Sequence, residues 1–144
     1  MICPDVNLLL YATFRSFREH EKAKSWWDGA LSGGQAVRLG HVVVLGFLRL
    51  STSSKVFENP LTVQQAVSVV EGWLAQPNVD LLAPAPGHWT NLRERLAQGG
   101  VGANLTTDAH LAALASDYGL AVCSNDADFA RFPGLNWVNP LDEP

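Results

Sequence analysis

The sequence predicts an α/β fold: one domain over residues 1–144, with a central, mostly parallel sheet of four to five strands and helices on both faces. Two observations predict it. The stretch from Asn104 to Phe132, NLTTDAHLAALASDYGLAVCSNDADFARF, reads as polar turn, helix, short apolar strand and acidic turn. Along the rest of the chain, short apolar runs alternate with helix-patterned stretches, the order of βα units in a parallel sheet. At 144 residues one hydrophobic core suffices.

The elements follow in order. A very short apolar segment breaks at Pro4-Asp5 and VNLLLYATF continues in a helix-compatible run, so Asp5 is a strand-end residue and an N-cap together. Residues 16–31 carry Ala23, Trp26, Trp27, Ala30 and Leu31 close to the spacing of an amphipathic helix, ended by Gly33-Gly34. Residues 36–39 form a second strand. HVVVLGFLRLST, residues 41–52, stays open, since its triple Val favours a strand and its length a buried helix. After the Asn59-Pro60 turn, Thr62 caps a helix with Val63, Ala66, Val67, Val70, Trp73 and Leu74 on one face. Residues 79–83 read as a strand and residues 88–98 as an amphipathic helix stopped by Gly99-Gly100. In the opening unit Thr106 or Thr107 is the N-cap, Asp108 suits the helix dipole and Gly119 is the C′ residue. Residues 120–123 form an inner strand and residues 135–138 a last short one.

With 47% apolar and 17% charged residues the composition is that of a globular protein rather than a disordered one. No apolar run approaches the ~20 residues of a membrane span and no basic region precedes an apolar one at the start, so no membrane association and a cytoplasmic placement are expected. Cys3 and Cys123 have no metal-ligand spacing and read as small buried hydrophobes. The net charge of −4 is opposite to the footprint of a nucleic-acid-binding domain. Any RNA contact is therefore local or built by pairing two chains, and the same acidity suits a basic protein partner.

Asp5, Asp108, Asp126 and Asp128 each sit near a strand end or a helix start. A parallel sheet can bring them to one edge, in the crevice outside the carboxyl ends of its strands. Converging carboxylates stay ionised when a cation holds them, and an oxygen-only donor set selects Mg²⁺ or Mn²⁺. Such a site suits phosphodiester hydrolysis. Each acid is also explained singly, as an N-cap or a first-turn charge, so the spacing leaves both readings open. Asp126 and Asp128 diverge on a helix but share a face in extended geometry, where one can ligate while the other caps the segment that follows.

PDVNLLLYA near the N-terminus, FLRLST at 47–52, TDAHLAALA at 107–115 and SNDADFARFPGL at 124–135 resemble the PIN-domain ribonucleases, specifically the VapC toxins of bacterial toxin–antitoxin pairs. The resemblance covers nearly the whole chain. It implies an α/β/α sandwich, a Mg²⁺- or Mn²⁺-dependent endoribonuclease acting on structured RNA such as tRNA, a homodimer, and neutralisation by a VapB-like antitoxin. By position, Asp5, Asp108 and Asp126 match the metal-binding acids, and Asp128 lies close by to ligate or orient water. Ser124 matches a small hydroxyl residue near the site, and Asn7 is a weaker match for orienting the first carboxylate. One departure stands out: the family usually carries an acidic residue, mostly Glu, where this sequence has Gly46, which supplies no ligand and costs ~1 kcal/mol in a helix interior. Two alternatives follow. One is a PIN-fold dimer weakened at Gly46 that serves mainly to bind antitoxin. The other is a receiver- or phosphatase-like protein with a phosphorylatable Asp, against which no Lys follows Lys55.

Among the remaining residues, Arg49 either pairs with a buried carboxylate or contacts a phosphate or the antitoxin, the structural role being preferred. Arg15, Arg18 and Lys22 offer a local basic strip, though such charges usually make a solvated face. Trp26, Trp27 and Trp73 lie on helical stripes and read as core or interface. His110 flanks Asp108 as a proton-donor candidate.

Overall fold

Five short strands, β1 (Ile2–Pro4), β2 (Val37–Gly40), β3 (Val79–Leu82), β4 (Ala121–Cys123) and β5 (Trp137–Val138), pair in the order β3-β2-β1-β4-β5. Every pair is parallel. The computed structural model describes residues 1–100 and 102–142, the side chain of Asn104 excepted. Parallel neighbours need crossovers, supplied by α1 (Val6–Thr13) and α2 (His20–Ser32), then α3 (His41–Ser51) and α4 (Val63–Leu74), then α5 (His88–Gly99) and α6 (Thr106–Asp117). The result is an α/β/α sandwich. The chain leaves β1 toward β2 and β3 on one side and later returns to place β4 and β5 on the other, so the topological switch falls between β1 and β4.

The core lies where these layers meet. Leu8 and Leu9 of α1, Val37 and Leu39 of β2, Phe47 of α3, Leu111 and Leu114 of α6, and Val122 of β4 are fully buried. Each such side chain contributes about 1.5–3 kcal/mol by leaving water. Ala109 and Leu111 to Ala115 of α6 are buried, with His110 between them half-buried, which is why that stretch shows almost no polar face. Trp27 packs edge-on against Trp73 with ring centroids 5.6 Å apart, placing both in the core.

The ambiguous segment is the helix α3. β2 ends at Gly40, which serves as N-cap, and Val43 and Phe47, four apart, turn into the core while His41, Leu45 and Arg49 face out. A Cβ on Gly40 would lie 2.9 Å from Leu114 Cδ2, so the bare backbone here lets α6 pack close. α2 starts at His20, later than the pattern suggests. Phe17 is withheld to pack on Tyr11 and Phe57, and the His20 ring nitrogen Nδ1 bonds Tyr11 O at 2.8 Å.

Helix ends divide the same way. Thr62 and Gln65 of α4 form a reciprocal capping box. Gly119, at φ 66, closes α6, with Leu120 N–H donating to Ala115 O at 2.8 Å and Gly119 N–H to Ser116 O at 3.4 Å, the two bonds of a Schellman ending. At its start, however, neither Thr106 nor Thr107 is the N-cap. The chain enters through a 3-10 turn, Ala103–Leu105, so Thr106 is already helical and Leu105 stands at the cap without a side-chain bond. Arg49 differs from the preferred reading too: it is exposed, and no carboxylate pairs with it among the described residues. Among those residues no helix is long and apolar enough to cross a membrane.

Candidate active site

Three elements deliver four carboxylates to the carboxyl edge of the sheet at its switch point. Asp5 directly follows β1, and Asp126 follows β4, the neighbouring strand. α6 runs into β4 and therefore begins at the same edge, which puts Asp108, in its first turn, over the strand ends. Asp126 is N-cap of a second 3-10 turn, Ala127–Arg131, and its Oδ1 accepts from the Asp128 N–H at 2.9 Å. That bond folds Asp128 back beside Asp126. The local capping expected for this pair is present, but the two acids come together through the 3-10 turn that holds Asp128, not through extended geometry.

Carboxylate oxygens of Asp108, Asp126 and Asp128 lie within 4.8 Å of one another. Asp5 is not part of this close set; it stands behind it, only 7% exposed. Its Oδ1 accepts from Val6 N–H at 2.8 Å, capping α1, and its Oδ2 accepts from the Ser124 hydroxyl at 2.8 Å. Ser124, fully buried, also accepts from the Asp126 N–H at 3.0 Å, while its carbonyl takes the Trp137 indole N–H at 2.9 Å. One hydroxyl thus fixes Asp5 relative to the Asp126 loop. Among the described residues the hydrogen bonds to the Asp5 carboxylate come from Val6 and Ser124, and Asn7 makes none to it.

Pro4 is tolerated for a reason of register. Ile2 N–H donates to Ala36 O on the β2 side, and alternate residues of a strand face the same neighbour, so the N–H that Pro4 lacks also belongs to that side. Pairing with β2 involves Ile2 opposite Val37, whereas Asp5 N–H donates to Cys123 O of β4 at 2.8 Å. The carboxylate is positioned by the strand that also positions Asp126.

The electrostatics are those of an anionic cluster. Asp108 is pushed up from 3.8 to about 6, by partial burial first and then by Asp5, Asp126 and Asp128. Asp5 is raised by burial, with Asp126 adding to it, although its bonds to Ser124 and Val6 oppose the shift. Cys3, buried in β1, is pushed up to about 12 by desolvation and holds no thiolate at neutral pH.

The position of Gly46 is equally clear. A Cβ there would meet Val6 Cγ2 at 3.4 Å and Val6 Cβ at 3.8 Å, one residue beyond Asp5. A side chain fits, and this chain supplies none. His110 is turned elsewhere: its Nδ1 lies 2.9 Å from His88 Nε2, whose Nδ1 is 3.0 Å from Asp117 Oδ2. Asn91 completes that chain by donating to Asp117 Oδ1 at 2.7 Å. His110 therefore ties α6 to α5. Sequence reading missed Arg131, whose Nε lies 3.5 Å from Asp128 Oδ1; the i, i+3 spacing was the available signal.

A doubly covered parallel sheet with acids gathered at its switch point defines the class of open α/β proteins that bind ligands in the crevice outside the carboxyl ends of their strands. The PIN domain model matches residues 2–135, and the chain belongs to the PIN domain family. It is 43% identical to Ribonuclease VapC33 of Mycobacterium tuberculosis over 143 residues, covering 99% of this chain and all of that one. Ribonuclease VapC37 of the same organism is 42% identical over 136 residues, 94% of each chain. Among solved structures, the fold is similar to M. tuberculosis VapC20, described as a sarcin-ricin loop cleaving toxin, with TM-score 0.69 and 17% identity over 94% of this chain and 99% of that one. VapBC2 from Rickettsia felis aligns with TM-score 0.66 and 19% identity, covering 96% and 98% of the two chains. These relatives place the chain with the VapC-type members of the family.

Proposed function

We propose that the protein is a VapC-type toxin, an endoribonuclease that hydrolyses RNA phosphodiester bonds with a divalent cation, Mg²⁺ or Mn²⁺. The observation that carries this reading is the set Asp108, Asp126 and Asp128, with oxygens within 4.8 Å of one another at the switch point of a VapC-like fold. The donors fit a hard cation: all are carboxylate oxygens, and partial burial, with the neighbouring carboxylates adding to it, pushes Asp108 up to about 6, a cost that a bound positive charge would relieve. Asp108, Asp126 and Asp128 would hold the ion, with Asp5 adding charge from behind. When bound, such an ion polarises a phosphoryl oxygen and acidifies water.

The chain's own residues do the positioning. Ser124 fixes Asp5 and the Asp126 loop together, and Asp126 fixes Asp128 through its cap. Asp128, if Asp108 and Asp126 held the ion without it, would instead accept a hydrogen bond from the attacking water and orient it in line with the leaving oxygen. Structured RNA such as tRNA is the proposed substrate class.

A VapB-like antitoxin and a second copy of the chain are the proposed partners. Exposed Leu45 of α3 with Val63 and Val67 of the adjoining α4 offers apolar surface for them. Gly46 favours a second reading, in which a site short of one carboxylate is weak and antitoxin binding is the main role. The test is cleavage of cellular RNA by antitoxin-free protein with Mg²⁺ or Mn²⁺, beside EDTA and Asp126→Asn controls. Discrete fragments lost in both controls support the nuclease; no cleavage together with no Mn²⁺ binding supports the binding module.

A further inference from the structure

We propose that Arg131 is a phosphate-binding residue at the mouth of the acidic site, held in place by Asp128 and able to leave it. The inference rests on the nuclease reading and assigns it a residue for the RNA strand. Among the described residues, Arg131 is the one basic side chain touching any of the four carboxylates. Its position follows from local geometry. In a 3-10 turn residues i and i+3 eclipse, so Arg131 stands over Asp128.

The contact holds the guanidinium loosely. Arg131 Nε reaches Asp128 Oδ1 at 3.5 Å, longer than a good charge-assisted bond, and the two side chains are 53% and 47% exposed. Nη1 and Nη2 make no hydrogen bond among the described residues, so the outer edge of the fork is open to solvent. That edge presents parallel N–H donors spaced for two oxygens of one phosphate, which a Lys ammonium cannot match. A structural Arg in this molecule looks different. Arg95 spends Nε, Nη1 and Nη2 on Asn91, Gln98, Pro133 O and Ser116.

The site also requires a cation there. The chain carries a net charge of −4, and four carboxylates converge where a polyanion must approach. With Asp128 holding a divalent ion, its grip on Arg131 would weaken and leave the guanidinium free for an RNA phosphate. The guanidinium then exchanges one anion for another.

The test is binding of bulk tRNA in Mn²⁺ across a salt series, in an Asp108→Asn background that blocks cleavage, with and without Arg131→Gln and Arg131→Lys. Loss of one phosphate contact lowers affinity about 10-fold and flattens the slope of log K against log salt by about 0.7–0.9. Arg131→Lys keeps the slope while binding more weakly than Arg. Mn²⁺ affinity of the otherwise unaltered protein stays the same or tightens with Arg131→Gln, because a competing cation is gone. Unchanged tRNA affinity and slope would overturn the proposal, as would weakened Mn²⁺ binding in Arg131→Gln, which marks a purely structural partner of Asp128. Failure of the nuclease reading shows separately, as absence of Mn²⁺-dependent cleavage by the unsubstituted protein, and the salt slopes still decide Arg131.

Discussion

Replacing Asp108 by Asn stabilises the metal-free protein at neutral pH. Asp108 is raised from 3.8 to about 6, so its ionised form is less welcome in the folded state than in the unfolded one. Roughly two pKa units correspond to about 3 kcal/mol, and discounting for the solvent that still reaches the side chain leaves about 1.5 kcal/mol. The sign follows from proton uptake. Below about pH 4 both states are protonated and nothing is lost, whereas between about pH 4 and 6 the folded state keeps a proton that the unfolded state has released. Stability therefore falls as pH rises through that window and stays about 1.5 kcal/mol lower above it. Urea denaturation in EDTA should show Asp108→Asn more stable than the unsubstituted protein by about this amount at pH 7.5, about 3–6 °C in Tm for a chain of this size, and nearly equal to it at pH 4. Saturating Mn²⁺ should close the gap by stabilising the unsubstituted protein more. Equal stability at pH 7.5, or an equal gain at both pH values, would refute the claim that burial and the crowding of carboxylates disfavour the ionised Asp108.

Three other outcomes are expected. Gly46→Ala should raise stability by about 0.5–1 kcal/mol in thermal melts, since its Cβ meets only Val6 at ordinary contact distance, and Gly46→Glu should tighten Mn²⁺ binding relative to Gly46→Ala. Ser124→Ala removes the hydroxyl joining Asp5 to the Asp126 N–H and should cost about 1–3 kcal/mol, with a fall in RNA cleavage at saturating Mn²⁺; unchanged cleavage would mean the backbone alone aligns the two acids. Burial and the facing His88 lower the pKa of His110, so the folded state resists its protonation and loses stability as pH drops below about 6.5. Denaturation at pH 5 and 7.5 should show a smaller pH effect in His110→Gln.

Much of the fold was legible because its signals are local. Thr62 with Gln65, Gly119 after a run of apolar residues, and the short inner strand before Ser124 are each specified by a few neighbouring residues. Residues 41–52 were not legible, since a strand and a buried helix share that composition. What settled the matter is tertiary: β2 ends at Gly40, and the following turns set Val43 and Phe47 on one buried face. The N-cap of α6 was misread because the preceding 3-10 turn, not the presence of Thr106, fixes where helical geometry begins.

The sequence by itself determined that acids fall at strand ends and helix starts, because capping and strand termination are written within a turn or two of each residue. It could not determine which acids meet. Asp5 and Ser124 are 119 residues apart and touch only because β1 and β4 pair in one register, Pro4 opposite Cys123. That pairing puts Asp5 behind the set instead of within it, while the cap on Asp126 draws Asp128 into it. His110, two residues from Asp108, faces α5 because side chains two apart on a helix point in nearly opposite directions. Distance along the chain sets the elements; strand register and helix phase set the chemistry.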